Sequence, residues 1–517
     1  MIRPASTLTR FLLLILIVGG TAELSAVSPA AISGAEAADF SDVRGKIIRL
    51  IEDKKIPSLS LAVVRDGQIV WEEAFGLSDL DPKTVAGPET LYPIASVTKP
   101  LTAAALMILV ERGLVDLDKP ANAYLANAKL RAFEGDAARA TVRRLLHHTS
   151  GLPMYWRFYY AGRSTPKPPL ETILQRYGML VDRPGENYNY SNLGYAVLES
   201  IIEQVSGKPY PEFVRDEVFK PLGMSRTAVF SALPQGLEIA EKYSATLAPV
   251  PFCDHDTRGA SSIYSTARDV ALFSLLHLKR LKPDQKAILK PESIAVIHGS
   301  RDPGVRTSSY GLGIETGTRF GFPILTHGGA MDGCRAHLAM IPSQGLAAAV
   351  LINGENVRSI EVCDWIFAAL LPVYARNLRS SSPPGAGPPQ PPAFRPPAEM
   401  VGIWEGTIHT HEANVQVRLA VEKSGEIKIS RRDGAGALEE ALAPLKTPAM
   451  NRGVCVVHFP QIFRLSDAPA AGHRTVLGLT IRKDRLSGEA NLIASDGSYS
   501  LPSFIALKRA KDPAGLK

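Results

Sequence analysis

The chain predicts an α+β architecture, a sandwich of an antiparallel sheet and a helical layer, followed by a small antiparallel β-barrel domain. Two observations carry the prediction. Strand-like runs stand at both ends of residues 38–378 with helical stretches between them, as expected of one sheet assembled from distant chain segments and covered by helices. After residue 398 the pattern changes to alternating polar and apolar residues broken by turn signals, the grammar of an all-β domain.

Taken in order, residues 1–37 read as a secretory signal. Arg3 and Arg10 precede the apolar run "FLLLILIVGG", small residues follow, and a cleavage site falls after Ala37 in "AEA". The run is short for a span of about 20 residues, so a periplasmic or secreted protein is expected, with an uncleaved membrane anchor as the alternative. Next, "KIIRLIEDKKI" reads as an amphipathic helix, and "SLSLAVVRDGQIVWEEAFG" as two strands about an Asp66-Gly67 turn. Helices are predicted in "TVRRLLHHTSGLP", "YAVLESIIEQVSG", "YPEFVRDEVFKPLG" and "TARDVALFSLLHLKRL". Strands return at "YGLGIE", "FPILTHG", "RAHLAMIP" and "LAAAVLIN", and one closing helix is read in "SIEVCDWIFAALLPVYA". Residues 379–398 are a Pro-rich linker that cannot fold alone. Residues 399–517 form the C-terminal all-β domain.

Composition excludes several function classes. The 517 residues are 45% hydrophobic and 21% charged, with a net charge of +7. No dense Lys/Arg stripe interleaved with aromatics occurs, so no nucleic-acid partner is expected. The modest basic excess suits solubility, or contact with anionic cell-envelope polymers. Cys253, Cys334, Cys363 and Cys455 are scattered without C-x-x-C spacing, which argues against zinc. A Cys253–Cys334 bridge and buried free thiols both remain open. His409 and His411 share a strand face and read as surface histidines rather than a metal site. No cofactor or metal is expected; the partner is a small-molecule or peptide substrate, and the oligomeric state is left open.

Chemistry enters at "YPIASVTKPLTAAA", where Ser96 precedes Lys99 by three residues. On the order of one or two S-x-x-K matches arise by accident in a chain this long, and Ser164–Lys167 is a second one. Prolines 166, 168 and 169 deny that second pair a shared helix face. Strong helix formers follow Ser96 up to a Gly113 stop, so Ser96 and Lys99 fall in a first helical turn on one face. The serine amide there is a free donor suited to an oxyanion. Serine is a weak nucleophile until a base takes its proton, and lysine serves when burial or a nearby cation depresses its pKa from about 10.4. Tyr190 and Asn192 in "YNYSNLGY" offer a proton relay and a carboxamide, or else a packed tyrosine and a helix N-cap. His327-Gly328-Gly329 follows an apolar run, and its glycines permit close approach to the backbone.

In this order, S-x-x-K, Y-x-N and a basic-x-Gly strand resemble the penicillin-recognising serine hydrolases: class C β-lactamases, D-alanyl-D-alanine carboxypeptidases, D-aminopeptidases and esterase relatives. "LLHHTSGLP" and "GASSIYSTARDVALF" are similar to two further motifs of that family, and the resemblance spans roughly residues 40–376. It implies a β-lactamase-like fold, Ser96 as nucleophile, Lys99 as its base and Tyr190 as second acid/base. It also implies that Asn192 orients Lys99 and the acyl group, and that the amides of Ser96 and Ala330 form the oxyanion hole. His148 is read as structural. The third motif departs from the Lys-Thr-Gly of β-lactamases. A histidine at 327 is mostly neutral at pH 7, and Gly328 brings no hydroxyl. Losing a charge-assisted contact of about 1.5–3 kcal/mol weakens carboxylate recognition by roughly one to two decades. D-amino-acid peptides or amides and small esters are therefore expected ahead of penicillins. "GIWEGTI" and "SLPSFIALKR" resemble the ends of lipocalin-like barrels appended to such peptidases. The expectation is an exported serine hydrolase acting through an acyl-enzyme on amides or esters; the alternative is a non-catalytic cell-envelope binding protein that keeps the fold.

Overall fold

The computed structural model describes residues 39–162, 166–299, 302, 305, 309–381, 394–451, 453–468 and 472–510. The expected signal, Ser164 of the second S-x-x-K and most of the Pro-rich stretch lie outside the described residues.

The hairpin forms where the Asp-Gly turn places it, from Ser58–Arg65 and Gln68–Leu80. Asp66 (φ 51°) and Gly67 (φ 85°) take the left-handed values such a turn requires. The hairpin joins strands from more than 230 residues away in one seven-stranded antiparallel sheet. Its order is Glu315–Arg319, Phe322–Met331, Cys334–Ile341, Leu346–Ile352, Ser58–Arg65, Gln68–Leu80, Lys83–Val85. Leu346–Ile352 is buried at every position. That explains its continuous apolar run: a strand covered on both faces has no solvent side to make polar. The helices Ala267–Leu278 and Ser359–Leu370 pack on it. Thr98–Glu111, buried along nearly its whole length, packs against Asn192–Ser206 in the helical layer.

Several expected elements differ in extent. Only Val142–Leu146 of "TVRRLLHHTSGLP" is helical. "YPEFVRDEVFKPLG" is a short helix, Tyr210–Val214, continued by a wider π turn, Arg215–Phe219. "YGLGIE" is no strand: Tyr310 makes one isolated bridge to Glu315, where the strand begins. Gly313 is the reason. It has φ +82°, and a Cβ there would lie 2.5 Å from Ala103 Cβ and 3.0 Å from Lys99 O, so the chain bends tightly against the helix carrying Lys99. The single closing helix is two, Ser359–Leu370 and Pro372–Ser381, broken where Pro372 lacks an N–H to continue the first. The second runs through residues 379–381, into the stretch read as linker.

The C-terminal part is antiparallel throughout. Its strand order is Ile427–Arg431, Asn414–Val421, Gly402–His409, Tyr499–Arg509, Arg485–Ala494, His473–Arg482, Val454–Pro460, Ala449–Asn451. The end strands do not pair with each other, so the sheet curls as a half-barrel instead of closing. It is also not self-contained. Tyr499 and Ser500 pair with Arg157 and Trp156 of the strand Trp156–Tyr160, which in turn pairs with Cys253–His255. Trp156 Nε1 donates to Gly497 O at 2.8 Å, and Arg482 pairs with Asp182 and Glu186.

All four cysteines are free and buried, so the Cys253–Cys334 bridge is absent and the free-thiol alternative holds. Lys242 Nζ donates to Cys253 Sγ at 3.3 Å. His409 ends its strand stacked near Phe133, with ring centroids 5.3 Å apart. His411 falls just beyond the strand and faces Glu412 and Asp467 instead of sharing a site with His409. Arg176 and Tyr177 already occupy Asp467, which suits an ion-pair network more than a metal.

Candidate active site

Ser96 lies in a tight 3-10 turn, Ala95–Val97, leading directly into the helix Thr98–Glu111. Ala95 adopts φ 46°, a left-handed value costing about 1 kcal/mol for a residue with a Cβ. The turn is pressed against the strand Phe322–Met331. A Cβ at Gly329 would sit 2.3 Å from Ile94 O and 3.2 Å from Ala95 Cβ, so only glycine lets strand and turn approach this closely. That approach brings Ala330, next in the strand, alongside the Ser96 turn. Gly328 is different: its missing side chain would point at the His337 ring, 3.3 Å away, on the alternate face of the strand.

Lys99 is fully buried. Its Nζ is 3.1 Å from Ser96 Oγ, 2.8 Å from Asn192 Oδ1 and 3.1 Å from Ala260 O. Two of these are carbonyls, which only accept. When the amine is neutral, with two N–H bonds and one lone pair, the carbonyls can take both hydrogens and leave the lone pair for the serine hydroxyl. Burial pushes the Lys99 pKa well below its ordinary value, and no carboxylate offsets it. The amine also lies 4.7 Å from the Tyr190 ring centroid.

Tyr190 directs its hydroxyl to Ser96, a contact that favours the phenolate, but burial outweighs it and holds the phenol protonated. Asn192 is the first residue of its helix; Ser191 is the N-cap, accepting from Gly194 N at 3.0 Å. The reading of Asn192 as a cap therefore fails, and its side chain is free to bridge Lys99 to Tyr155 O, to which Nδ2 donates at 3.0 Å.

His327 is buried, and burial lowers its pKa to about 3. Its Nδ1–H donates to Gly328 O at 2.7 Å, leaving Nε2 to accept from Tyr310 OH at 2.7 Å. The third motif thus holds a neutral, fully engaged imidazole. His148 is also buried and neutral: Nδ1 accepts from Ser191 N at 3.0 Å, and its ring lies 4.3 Å from that of Tyr190. It backs the Tyr190 loop, as a structural residue would.

Tyr310 and the Ala260 carbonyl were not singled out from the sequence. Ala260 lies within "GASSIYSTARDVALF", so the segment was legible although the acceptor was not, because any residue supplies a carbonyl. Also unforeseen is the cavity beside Tyr190, about 440 Å³. Met154, Asn189 and Tyr190 form one wall, and Val456, Gly478 and Glu489 of the C-terminal sheet form the other.

A seven-stranded sheet with helical cover and a Ser–Lys–Tyr–Asn cluster at its edge defines a β-lactamase-like protein. The family model described as Beta-lactamase matches residues 43–370, and the chain belongs to that family. Among curated proteins it is similar to Unguisins hydrolase ungD' of Aspergillus campestris (strain IBT 28561), 32% identical over 336 residues. The match covers 61% of this chain and 61% of that protein, less than two thirds of its length. In fold it is similar to the crystal structure of SurE, with a TM-score of 0.60 at 21% identity, covering 92% of this chain and all of the other. It is likewise similar to D-amino acid amidase from Ochrobactrum anthropi SV3, with a TM-score of 0.52 at 23% identity, covering 66% of this chain and all of the other. Of these relatives, the first is named as a hydrolase and the last as an amidase.

Proposed function

We propose that this chain is a serine hydrolase that cleaves amide or ester bonds through an acyl-enzyme on Ser96. One observation carries the reading. Lys99 Nζ lies 3.1 Å from Ser96 Oγ and is held by the carbonyl oxygens of Asn192 and Ala260, in a buried setting that lowers its pKa well below the ordinary value. Lys99 takes the hydroxyl proton as Ser96 attacks the carbonyl carbon, and the C–O bond forms while the carbonyl π pair moves to oxygen. The amides of Ser96 and Ala330 receive that oxyanion. Tyr190, protonated and facing Ser96, donates to the leaving amine or alkoxide as the scissile bond breaks. In the second half the Tyr190 phenolate takes a proton from water as its oxygen attacks the ester carbonyl, and the Lys99 ammonium returns its proton to Ser96 Oγ as the acyl–oxygen bond breaks and the acid leaves.

The neutral His327 supports a preference for D-amino-acid amides or peptides and small esters over penicillins, because it brings no charge for a β-lactam carboxylate. Similarity to a protein named as a hydrolase of unguisins supports a hydrolytic reaction. Export belongs to the same proposal, supported by the N-terminal sequence pattern. N-terminal sequencing of the protein from its host checks it, with a start at Ala38 expected.

The deciding experiment is intact-mass analysis of wild type and Ser96→Ala after incubation with a fluorophosphonate and, separately, with a penicillin. A phosphonyl adduct on wild type, absent from the variant, is expected. A folded wild type that forms no adduct with either probe contradicts the proposal and favours a non-catalytic binding protein.

A further inference from the structure

Lys99 is oriented by two carbonyl oxygens, and each of them must itself be held. Asn192 belongs to a long helix, but Ala260 O belongs to a single helical turn, Arg258–Ser261, too short to be stable alone. The turn is fixed at Gly259. The Gly259 amide donates to Glu199 Oε2 at 2.9 Å, and the Gly259 carbonyl accepts from Thr102 Oγ1 at 2.7 Å. Thr102 follows Lys99 by three residues on one helix, and Glu199 follows Asn192 by seven on the other. Each therefore shares a helix face with the active-site side chain that precedes it. The turn presenting Ala260 O is thus held, through one residue, by the two helices that carry Lys99 and Asn192. Only glycine fits there, because a Cβ at 259 would lie 2.8 Å from Tyr195 O and 3.1 Å from Glu199 Cβ. Glu199 is 3% exposed and has the only carboxyl group among the buried residues of its helix. Taking a carboxyl out of water is costly unless it is hydrogen-bonded, so the Gly259 amide is a partner it needs. Burial raises its pKa to about 8, with Glu203 adding to the rise and Arg258 and Lys167 opposing it. At pH 7 it is mostly uncharged and holds the amide without setting a negative charge behind Lys99.

We propose that Glu199 is a positioning residue: by holding the Gly259 amide it fixes the Ala260 carbonyl on Lys99 Nζ, with Thr102 as its counterpart on the Gly259 carbonyl. Its effect on rate rests on the hydrolase reading above, whereas its effect on Lys99 needs no turnover and is measured without it. Two variants separate this role from packing. Glu199→Gln keeps the shape and an acceptor for the Gly259 amide; Glu199→Leu fills the space and removes the acceptor.

The test uses the full-length protein, isotopically labelled at lysine Cε and titrated by NMR, with the Lys99 signal assigned from Lys99→Arg. A carbonyl acceptor favours the charged amine, so Glu199→Leu should lower the Lys99 midpoint by about half a pH unit or more, and Glu199→Gln should leave it in place. The rate of fluorophosphonate adduct formation at pH 7 is measured on the same proteins. It should fall by about tenfold to a hundredfold in Glu199→Leu, as misplacing a reacting group costs, and stay within about threefold of wild type in Glu199→Gln. A Lys99 midpoint that Glu199→Leu leaves unmoved overturns the proposal, whatever the rate. Equal loss in both variants also overturns it, because the acceptor would then not be what matters. Should Glu199→Leu fail to fold, Thr102→Val against Thr102→Ser makes the same comparison at the Gly259 carbonyl. A lowered midpoint in Thr102→Val alone supports the proposal, and no difference between the two overturns it. A wild type that forms no adduct sinks the hydrolase reading, while the NMR midpoints still decide what holds Lys99.

Discussion

At Lys99, burial and stoichiometry act together. Burial lowers the pKa of the amine and two carbonyls orient it, so the lysine is poised to accept a proton without a third residue to activate it. The acid limb of kcat/KM should therefore fall well below pH 10.5. The rate should then stay level past pH 9, because burial keeps Tyr190 protonated. A limb near 10.5 would show a solvated lysine. Lys99→Ala should cost about 10²–10⁴ in acylation rate, the usual worth of a positioned base, measured by the rate of adduct formation. The two glycines after His327 should behave oppositely. Gly329→Ala drives a methyl into the Ile94 carbonyl, so activity should fall steeply with about 1–3 kcal/mol of stability. Gly328→Ala meets a side-chain ring at 3.3 Å and should be tolerated better; urea denaturation and ester turnover of both variants check the contrast.

Among the elements, the turn into Asn192–Ser206 joins local and tertiary roles. Ser191 caps the helix through Gly194 N, donates to Pro153 O at 2.7 Å and gives its own amide to His148. Ser191→Ala should cost about 1 kcal/mol through the lost cap. It should also lower kcat more than KM changes, since Tyr190 and Asn192 flank the position; equilibrium unfolding and steady-state kinetics read the two effects. The spacing Y-S-N displayed these residues, but not that the cap is the middle one. Side-chain oxygens of Ser and Asn are equivalent as caps, and only the start of the helical dihedrals decides which is used.

Over the whole molecule, buried imidazoles set the response to acid. Burial lowers His255, His327 and His337 to about 3 and His298 to about 4, and moves His148 and His277 in the same direction. Below pH 6.5 the unfolded chain binds protons at these sites that the folded chain refuses, so stability falls as pH falls, by up to about 1.4 kcal/mol per unit and group. Buried Glu199, raised to about 8, acts in the opposite sense from pH 8 down, and Asp256, raised to about 6, does so nearer pH 6; burial also raises Asp182, Glu241, Asp269, Asp332 and Glu489. The imidazole effect is therefore read between pH 6.5 and 5, where His327→Gln or His337→Gln should flatten the pH dependence of the urea midpoint relative to wild type; an unchanged slope would contradict the burial. The shared strand pairing at Tyr499–Arg157 and the cavity wall also bear on truncation. A chain ending at residue 398 should lose activity and stability, measured by ester turnover and urea denaturation.

The sequence by itself determined the family-like order of S-x-x-K, Y-x-N and His-Gly-Gly, the hairpin at Asp66-Gly67 and the β character after residue 398. Each is written locally, in residue spacing, turn chemistry or hydrophobic period. Only the tertiary structure decided that the C-terminal sheet stays open, that it shares a strand with the first part and that Glu489 faces Tyr190 across one cavity. Those outcomes depend on contacts between residues hundreds of positions apart, about which spacing within a segment carries no information.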